Sequence, residues 1–175
     1  MNGPELHIEP LSPVEPLART HDTSTFDCGV PDSLSNWLKR FAWTNQQNET
    51  SRTYVVRRAN HVVAYYSIAT GSTRREDALL RVAKGLANHP VPVIVLTRLA
   101  VDKTEQGTGL GNALLKDALI RIAAAAEIVG ARAVLVHAID AEAAALYRRF
   151  DFEPCPGNDL HLMLLMKDVR AVLTD

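Results

Sequence analysis

A glycine-rich turn between two apolar segments is the part of this sequence whose residue types and spacing most directly suggest ligand binding. The turn reads Gln106-Gly-Thr-Gly-Leu-Gly111, and it separates an apolar, β-branched run at 94–101 from an Ala- and Leu-rich stretch at 112–130. The run predicts a buried strand, and the stretch predicts a long helix. Backbone N–H groups at the positive end of a helix dipole bind anions. The turn is therefore a candidate phosphate site, although a turn without a ligand has the same pattern.

The positions of the glycines exclude the two common nucleotide-binding loops. A Walker loop continues from its last glycine into Lys, whereas Gly111 is followed by Asn112. The dinucleotide loop needs three glycines in the order Gly-x-Gly-x-x-Gly, and Gly107 and Gly109 are not followed by a glycine at position 112. A phosphate at this turn therefore needs a different class of loop.

A short predicted helix in the second half of the chain carries a tyrosine. An apolar run at 131–137 predicts another buried strand, after which Asp140 is placed to cap a short helix over 141–150 that includes Tyr147. A phenol, with a pKa of about 10, is protonated at neutral pH and can give its proton to a leaving group. The other role open to Tyr147 is that of a core aromatic with its hydroxyl at the surface.

These two segments, in this order, resemble the GNAT acetyltransferases. The spacing Gln106-x-x-Gly109-x-Gly111 is similar to that family's loop for the pyrophosphate of coenzyme A. The segment Ala144-Ala-Leu-Tyr-Arg-Arg-Phe-Asp-Phe152 is similar to its tyrosine segment. Asp151 stands where the family usually has Gly, and Asp is among the residues that best tolerate a left-handed helix end.

Further segments are similar to the tRNA-acetylating toxins of bacterial type II toxin–antitoxin systems. They include Arg98-Leu-Ala-Val-Asp102 on the predicted central strand and Val136-His-Ala138 after the next strand. The similar region extends from Phe26 to Lys167, nearly the whole predicted domain. The resemblance implies an α/β chain with the GNAT acyltransferase fold, in which a mixed central sheet is flanked by helices.

The same resemblance implies an N-acetyltransferase that uses acetyl-CoA to acetylate the α-amino group of aminoacyl-tRNA and so blocks translation, with no metal. Tyr147 would be the catalytic acid that protonates the leaving thiolate. Amides at 99–101 would bind the thioester carbonyl and the pantetheine arm, and the turn would bind the pyrophosphate. The implied donor-binding residues are Leu99, Ala100, Val101, Gln106, Gly107, Thr108, Gly109, Leu110, Gly111 and Asn112. The implied partners are a ribbon-helix-helix antitoxin, operator DNA bound through that antitoxin, and a second copy in a homodimer.

Basic side chains are the candidates for contact with the acceptor. The net charge of -1 gives no overall attraction to nucleic acid, so binding must depend on a local patch. Gathered on one face, a group of basic residues would hold a phosphate backbone, whereas each taken singly fits an ordinary solvated surface. The predicted substrate-binding residues are Lys39, Arg40, Arg52, Arg74, Arg75 and Arg98, and Arg148 and Arg149 form a further basic pair.

The sequence offers no obvious general base. The predicted central strand has no carboxylate before Asp102, where many acetyltransferases place a Glu. A lysine amine, with a pKa of about 10.4, needs help to lose its proton, whereas an α-amine near about 7.7–8.0 needs little. The missing base therefore favours an α-amine as acceptor, although a water or a loop residue would also serve. His137 is interpreted as a structural residue at a strand end.

Composition and periodicity predict the rest of the chain. At 175 residues and 47% apolar content, the chain can bury one full core. A single domain at 23–175 is expected after a loose segment at 1–22.

No apolar run approaches a membrane span and no signal peptide is apparent, so a cytoplasmic location is expected. Cys28 and Cys155 lack metal-site spacing and are expected to be free thiols. The other predicted elements are a strand at 16–19, a helix at 33–45, a hairpin of 52–57 and 61–70, a helix at 76–86 and a strand at 160–166.

Three functions stay open from the sequence. The first is the tRNA-acetylating toxin. The second is a GNAT acetyltransferase of a small amine or of a protein N-terminus. The third is a non-catalytic partner in a repressor complex, which predicts that the donor loop or the acid is missing. Both Gln106–Gly111 and Tyr147 are present.

Overall fold

A computed structural model describes residues 7–175. The apolar runs form the strands β1 (Glu15–Pro16), β2 (Arg52–Arg58), β3 (His61–Thr73), β4 (Val91–Val101), β5 (Ala133–His137), β6 (Glu153–Cys155) and β7 (Asn158–Leu165). The helices are α1 (Ser33–Arg40), α2 (Ala42–Gln47), α3 (Leu80–Ala83), α4 (Leu110–Ala126), α5 (Ala141–Arg148) and α6 (Met166–Thr174). The strands join one sheet in the order β1-β2-β3-β4-β5-β7-β6. The predicted mixed sheet flanked by helices is confirmed.

The sheet divides along one edge of β4. β4 and β5 are parallel neighbours, but their pairing covers only Val93 to Leu96 of β4, opposite residues 133–136. β4 continues to Val101 beside β3 alone. A register shift opposite Ser67 marks a β-bulge in β4, and a bulge bends its strand. We call the gap between residues 97–101 of β4 and the end of β5 the β4–β5 split.

Different helices cover the two faces of the sheet. α4, α5 and α6 pack on one face, where Leu119 and Tyr147 belong to the same buried cluster. On the other face, α1 buries Trp37 and Leu38 beneath β2 to β4, and α3 buries Val82 beneath β4, β5 and β7. We call these the α4 face and the α1 face. The β4–β5 split therefore opens on both sides of the sheet, on the α4 face and on the α1 face, and different helices border each opening.

The helix predicted at 33–45 is two helices. Phe41 interrupts it with φ -123° and ψ -25°, and its side chain is 53% exposed. The helical spacing of the apolar residues predicts one buried stripe of Leu34, Trp37, Leu38, Phe41 and Ala42. For Phe41 this prediction is wrong, because the break turns its side chain to solvent. Trp37, Leu38 and Ala42 are buried as predicted, and Leu34 packs partly buried against the same cluster.

Other boundaries differ from the predicted ones because short elements depend on distant contacts. The helix predicted at 76–86 is a 3₁₀ turn at Arg75–Asp77 followed by the single turn α3. The run predicted as a strand at 160–166 ends at Leu165, where α6 begins. The long helix occupies Leu110–Ala126 rather than 112–130, and α5 ends at Arg148. The predicted hairpin is confirmed, with longer strands and a tight turn at 59–60.

The segment before residue 23 contributes to the sheet. β1 pairs at Glu15 and Pro16 rather than at 16–19, and Leu17 is buried, with its N–H bonded to the Thr53 carbonyl at 2.9 Å. Residues 1–6 of the predicted loose segment lie outside the described part of the chain. The division of the chain at residue 22 stays a prediction.

Candidate active site

The glycine-rich turn forms an open backbone surface at the start of α4. Gly107 has φ 77° and Gly109 has φ 87°, values that side-chain-bearing residues rarely adopt. A Cβ built on either glycine would meet no atom of the described residues within 4 Å. Gly109 is the N-cap of α4, a helix of 17 residues whose first N–H groups point out of its end. The turn therefore presents free donors beside open space, as an anion site requires.

Hydrogen bonds from side chains of the turn itself hold its backbone in place. The Gln106 amide donates to the carbonyls of Cys28 at 3.0 Å and Val101 at 2.9 Å. The Thr108 hydroxyl donates to the Glu105 carbonyl at 2.7 Å, and the buried Glu105 carboxylate accepts from Arg58. The side chains of Gln106 and Thr108 therefore brace the loop, which leaves its backbone to face a ligand.

The free edge of β4 provides two further donors. The N–H of Asp102 bonds to Val63 of β3 at 2.8 Å, and N–H groups alternate in direction along a strand. The N–H groups of Leu99 and Val101 therefore point into the β4–β5 split, whereas that of Ala100 points toward β3. A strand edge with unpaired N–H groups can bind an extended amide chain and a carbonyl oxygen. Of the three amides at 99–101 that were predicted to bind the donor, those of Leu99 and Val101 therefore have the orientation that binding requires.

Tyr147 approaches from the α4 face. Its side chain is 5% exposed, and its ring packs on Phe152 with centroids 5.6 Å apart. Its hydroxyl makes no hydrogen bond to the residues that the structure describes, yet it is not among their fully enclosed unpaired atoms. Burial raises the pKa of Tyr147 well above its usual range. The group is therefore a protonated phenol at neutral pH whose oxygen is not completely enclosed by the described residues, as a proton donor needs.

The ends of α5 explain how the sequence positions this tyrosine. Asp140 caps the helix as predicted, accepting from the Ala143 N–H at 2.8 Å. Asp151 has φ 66°, which gives the left-handed helix end that the family's usual glycine would provide. At the C-cap of α5, the Arg149 guanidinium donates to the Asn112 side-chain oxygen at 3.3 Å, beside the start of α4. This contact adds Arg149 to the candidates for donor binding, which the sequence placed only in a basic pair.

The six basic residues predicted to bind substrate lie on different elements, and two of them, Arg74 and Arg75, lie far from Arg98. Lys39 and Arg40 lie in the last turn of α1, and Arg52 begins β2 beside Glu49 at 3.5 Å. Arg74 and Arg75 follow β3, next to the start of β4 at Val91. From there to Arg98 the strand covers about 23 Å, at a usual rise of about 3.3 Å per residue. A ligand that contacts the whole set must therefore extend over at least this distance, as a nucleic acid does.

Arg98 differs from the other five because its charge is partly buried without a partner. Its guanidinium lies 4.1 Å from the ring centroid of Trp37, on the α1 face of the split. It makes no ion pair or hydrogen bond with the residues described in the structure. Partial burial lowers the pKa of Arg98, which reflects lost hydration that no carboxylate offsets. An arginine held in this way is suited to an anionic ligand.

Arg74 illustrates the opposite case. Its guanidinium lies 2.9 Å from Asp77 and 3.5 Å from Glu76. These carboxylates raise the pKa of Arg74 and offset its charge. Arg75 has no such ion pair in the described chain. Of this adjacent pair, Arg75 is therefore the better candidate for a phosphate contact.

Other classes of site receive no support from the residues that the structure describes. At 7–175, no three His, Cys, Asp or Glu side chains gather as a metal site. Cys28 and Cys155 are free thiols, as predicted.

Among the described helices, none has the length and apolar character needed to cross a bilayer.

Comparison with known proteins agrees with this geometry. Residues 49–154 match the family model described as the acetyltransferase (GNAT) domain. A tRNA-acetylating toxin of Mycobacterium tuberculosis is 49% identical over 159 residues, which cover 91% of this chain and 95% of that protein.

Solved structures with a similar fold include complexes of the toxin AtaT. AtaT with acetyl-methionyl-tRNA has a TM-score of 0.84 and 25% identity, covering 93% of this chain and 99% of that chain. A tyrosine-to-phenylalanine mutant of AtaT, with the C-terminus of its antitoxin AtaR and acetyl-CoA, has a TM-score of 0.80 and 25% identity, covering 95% and 100%. The AtaT–AtaR complex on DNA has a TM-score of 0.73 and 25% identity, covering 92% and 99%.

Proposed function

Because this chain belongs to the GNAT family of acetyltransferases, we propose that it transfers the acetyl group of acetyl-CoA to the α-amino group of aminoacyl-tRNA, as a toxin that blocks translation. The observation that carries the proposal is the 49% identity, over 91% of the chain, to a tRNA-acetylating toxin. The donor loop and Tyr147 are both in place, which speaks against a chain that has lost catalysis.

The residues present fit acetyl-CoA. The N-terminus of α4 and the backbone at Gly107 and Gly109 would hold the pyrophosphate, and Arg149 adds a positive charge beside them. The Leu99 and Val101 amides would bind the thioester carbonyl and the pantetheine arm in the split. Tyr147 would protonate the sulfur as it leaves. Acetyl-CoA supplies the activated acetyl group, and these residues hold and orient it.

The acceptor would approach from the α1 face. Arg98 lies there without a partner, and a phosphate near the end of tRNA would offset its buried charge. Among the described residues, no carboxylate contacts Arg98, so no strong base lies beside it. This suits an α-amine, which loses its proton near neutral pH.

The proposed partners follow from the relatives. AtaT forms complexes with AtaR and, together with AtaR, with DNA. We extend this to a ribbon-helix-helix antitoxin for this chain, to operator DNA bound through that antitoxin, to a homodimer, and to a cytoplasmic location beside charged tRNA.

One assay tests the activity. Purified protein is mixed with labelled acetyl-CoA and either total charged tRNA or the same tRNA after deacylation. We expect label on the charged tRNA alone, released with the amino acid by mild base. Label on a protein N-terminus or a small amine, and none on tRNA, would favour the other acetyltransferase function.

Removing the charge of Arg98 should weaken acceptor binding. We expect Arg98→Gln to raise the KM for charged tRNA about tenfold and to lower the salt slope of binding by about 1, because one phosphate contact is lost. Arg98→Lys should keep the salt slope but lose the stacking on Trp37. Steady-state kinetics over a salt series measure both. An unchanged slope in a folded Arg98→Gln enzyme would contradict the assignment.

Neutralising Arg74 and Arg75 together should raise the KM for tRNA, flatten its salt dependence and leave the acetyl-CoA affinity intact. The single change Arg75→Gln should account for most of this, because Arg74 is already paired with Asp77. Arg19→Gln, an exposed arginine outside the predicted set, is the matched control. Filter binding of tRNA over a salt series decides the outcome, and a double variant equal to Arg19→Gln would leave these arginines as surface residues.

A further inference from the structure

The proposed reaction leaves one proton of the attacking amine without an acceptor, and the division of the sheet leaves a second face of the site on which an acceptor can lie. Tyr147 belongs to the buried cluster on the α4 face, against which Leu99 and Val101 of the split also pack. The amine must attack the thioester carbonyl from a side that this tyrosine does not occupy. The opposite opening of the split, on the α1 face, is bounded by Arg98 on β4 and by the end of β5.

His137 is the residue at that end. It follows Val136, the last residue of β5 that pairs with β4. Side chains two apart on a strand share a face, and Leu135 packs with α3 on the α1 face. The His137 ring therefore lies on the α1 face, where it stacks on His161 of β7 with centroids 3.9 Å apart and planes 18° apart. His137 is exposed, so it is open to a substrate.

We propose that His137 is a catalytic residue, the proton acceptor for the attacking α-amine, and that His161 is a positioning residue that holds its ring. This inference rests on the proposed function. It revises the interpretation of His137 as purely structural, which the sequence alone favoured.

The proton balance is complete with the two groups. The amine nitrogen attacks the thioester carbonyl carbon, so a C–N bond forms and the C–S bond breaks. The nitrogen gives one proton to the imidazole of His137, and the leaving sulfur takes one from the phenol of Tyr147. Exchange with water then returns His137 to its neutral form and Tyr147 to its protonated form. No oxidant, metal or further reactant is needed.

The surroundings of His137 suit this task. Partial burial of the ring in its stack lowers the pKa of His137, and the neighbouring His161 lowers it further, so the ring is neutral and able to accept a proton at pH 7. Across the split Arg98 occupies the same face, and Asp140 on the following turn is engaged with the Ala143 N–H. The described structure places no carboxylate against the ring that would raise its pKa and keep it charged.

The test compares pH profiles of kcat/KM for charged tRNA, from about pH 5 to about pH 8, in the wild type and in His137→Gln, so that the acid end lies below the lowered pKa of His137. Glutamine keeps a polar side chain but cannot take the proton. We expect the rate of the variant to fall by about 10²-fold, the low end for a general base, because the acceptor is already a weak acid. The slope of log kcat/KM at the acid end should fall from about 2 to about 1, since one ionising group is lost. Acetyl-CoA affinity should not change.

Two further variants sharpen the result. His161→Gln removes the neighbouring imidazole that lowers the pKa of His137, so this pKa should rise and the acid limb should move to higher pH. His89→Gln, an exposed histidine in the loop before β4, should match the wild type. Wild-type rate and slope in a folded His137→Gln enzyme, or a loss of acetyl-CoA affinity in its place, would overturn the inference. A wild-type enzyme that leaves charged tRNA unlabelled would instead overturn the proposed function itself.

Discussion

Replacing Tyr147 with Phe should lower kcat for acetyl transfer by about 10²–10⁴-fold, the usual effect of removing a general acid. Phe keeps the ring, and with it the packing on Phe152. The lost hydroxyl has no hydrogen-bond partner among the described residues, so the fold should keep its stability. Burial raises the pKa of Tyr147, so the wild-type phenol stays protonated throughout the neutral pH range. The ratio of wild-type kcat to Tyr147→Phe kcat should therefore be constant across that range. Steady-state kinetics with charged tRNA and a thermal melt test these points.

The matched control for this prediction is Tyr54→Phe. Tyr54 lies on β2, where Arg121 stacks over its ring and Tyr66 packs beside it, away from the split. Its loss of a phenol hydroxyl should leave kcat unchanged. A Tyr147→Phe enzyme with normal kcat and weaker acetyl-CoA affinity would mean that the hydroxyl only holds the donor. Normal values for both would leave Tyr147 a packing residue. In cells, the same variant should relieve growth arrest if the proposed toxin activity is right.

Gly109→Asp should abolish measurable binding of coenzyme A. The substitution puts a side chain into the open space at the N-cap of α4 and a negative charge where the pyrophosphate is expected. Losing two charge-assisted hydrogen bonds, each worth about 1.5–3 kcal/mol, lowers affinity by about 10²-fold or more. Repulsion between the two anions adds to this loss. Titration calorimetry with acetyl-CoA measures the change.

Two controls separate charge from backbone effects. Gly109→Asn has nearly the same shape without the charge, and Asn tolerates the positive φ of 87°. It should bind with an intermediate affinity. Gly157→Asp places the same residue at a φ of 76°, in the turn between β6 and β7, and should bind normally. Unchanged affinity in a folded Gly109→Asp protein would exclude this loop as the donor site.

The sequence predicted the parts of the fold that depend on local pattern. β4, the glycine-rich turn and α4 follow one another as continuous apolar, glycine-rich and helix-favouring segments, and each appears close to its predicted position. The break at Phe41 could not be predicted, because the apolar spacing of a single helix continues across it. β6 has three residues, one of them Pro154. A strand of this length is too short to show an alternating pattern in the sequence. The start of α6 at Met166 lies inside an apolar run that fits either a strand or a buried helix.

The candidate site could be predicted in its motifs but not in its contacts. Spacing pointed to the turn and to Tyr147. The stacking of Arg98 on Trp37 joins residues far apart in the chain, and so does the stacking of His137 on His161. Such pairs depend on which strands and helices become neighbours, which no local pattern specifies. The same limit applied to the basic residues, whose sequence positions gave no sign that Arg74 and Arg75 lie far from Arg98 along the sheet.

The double hydrogen bond from Gln106 has a consequence for protein engineering. The motif occupies six residues of sequence, yet its first side chain holds the carbonyl of Cys28, and Asp102 just before it accepts from the Asp27 N–H at 2.8 Å. A segment containing only β4, the turn and α4 would have every residue of the motif and would lack these ties. Moving the loop into another scaffold therefore requires the turn at 26–29 as well. Two separate chain segments have to be moved together rather than one.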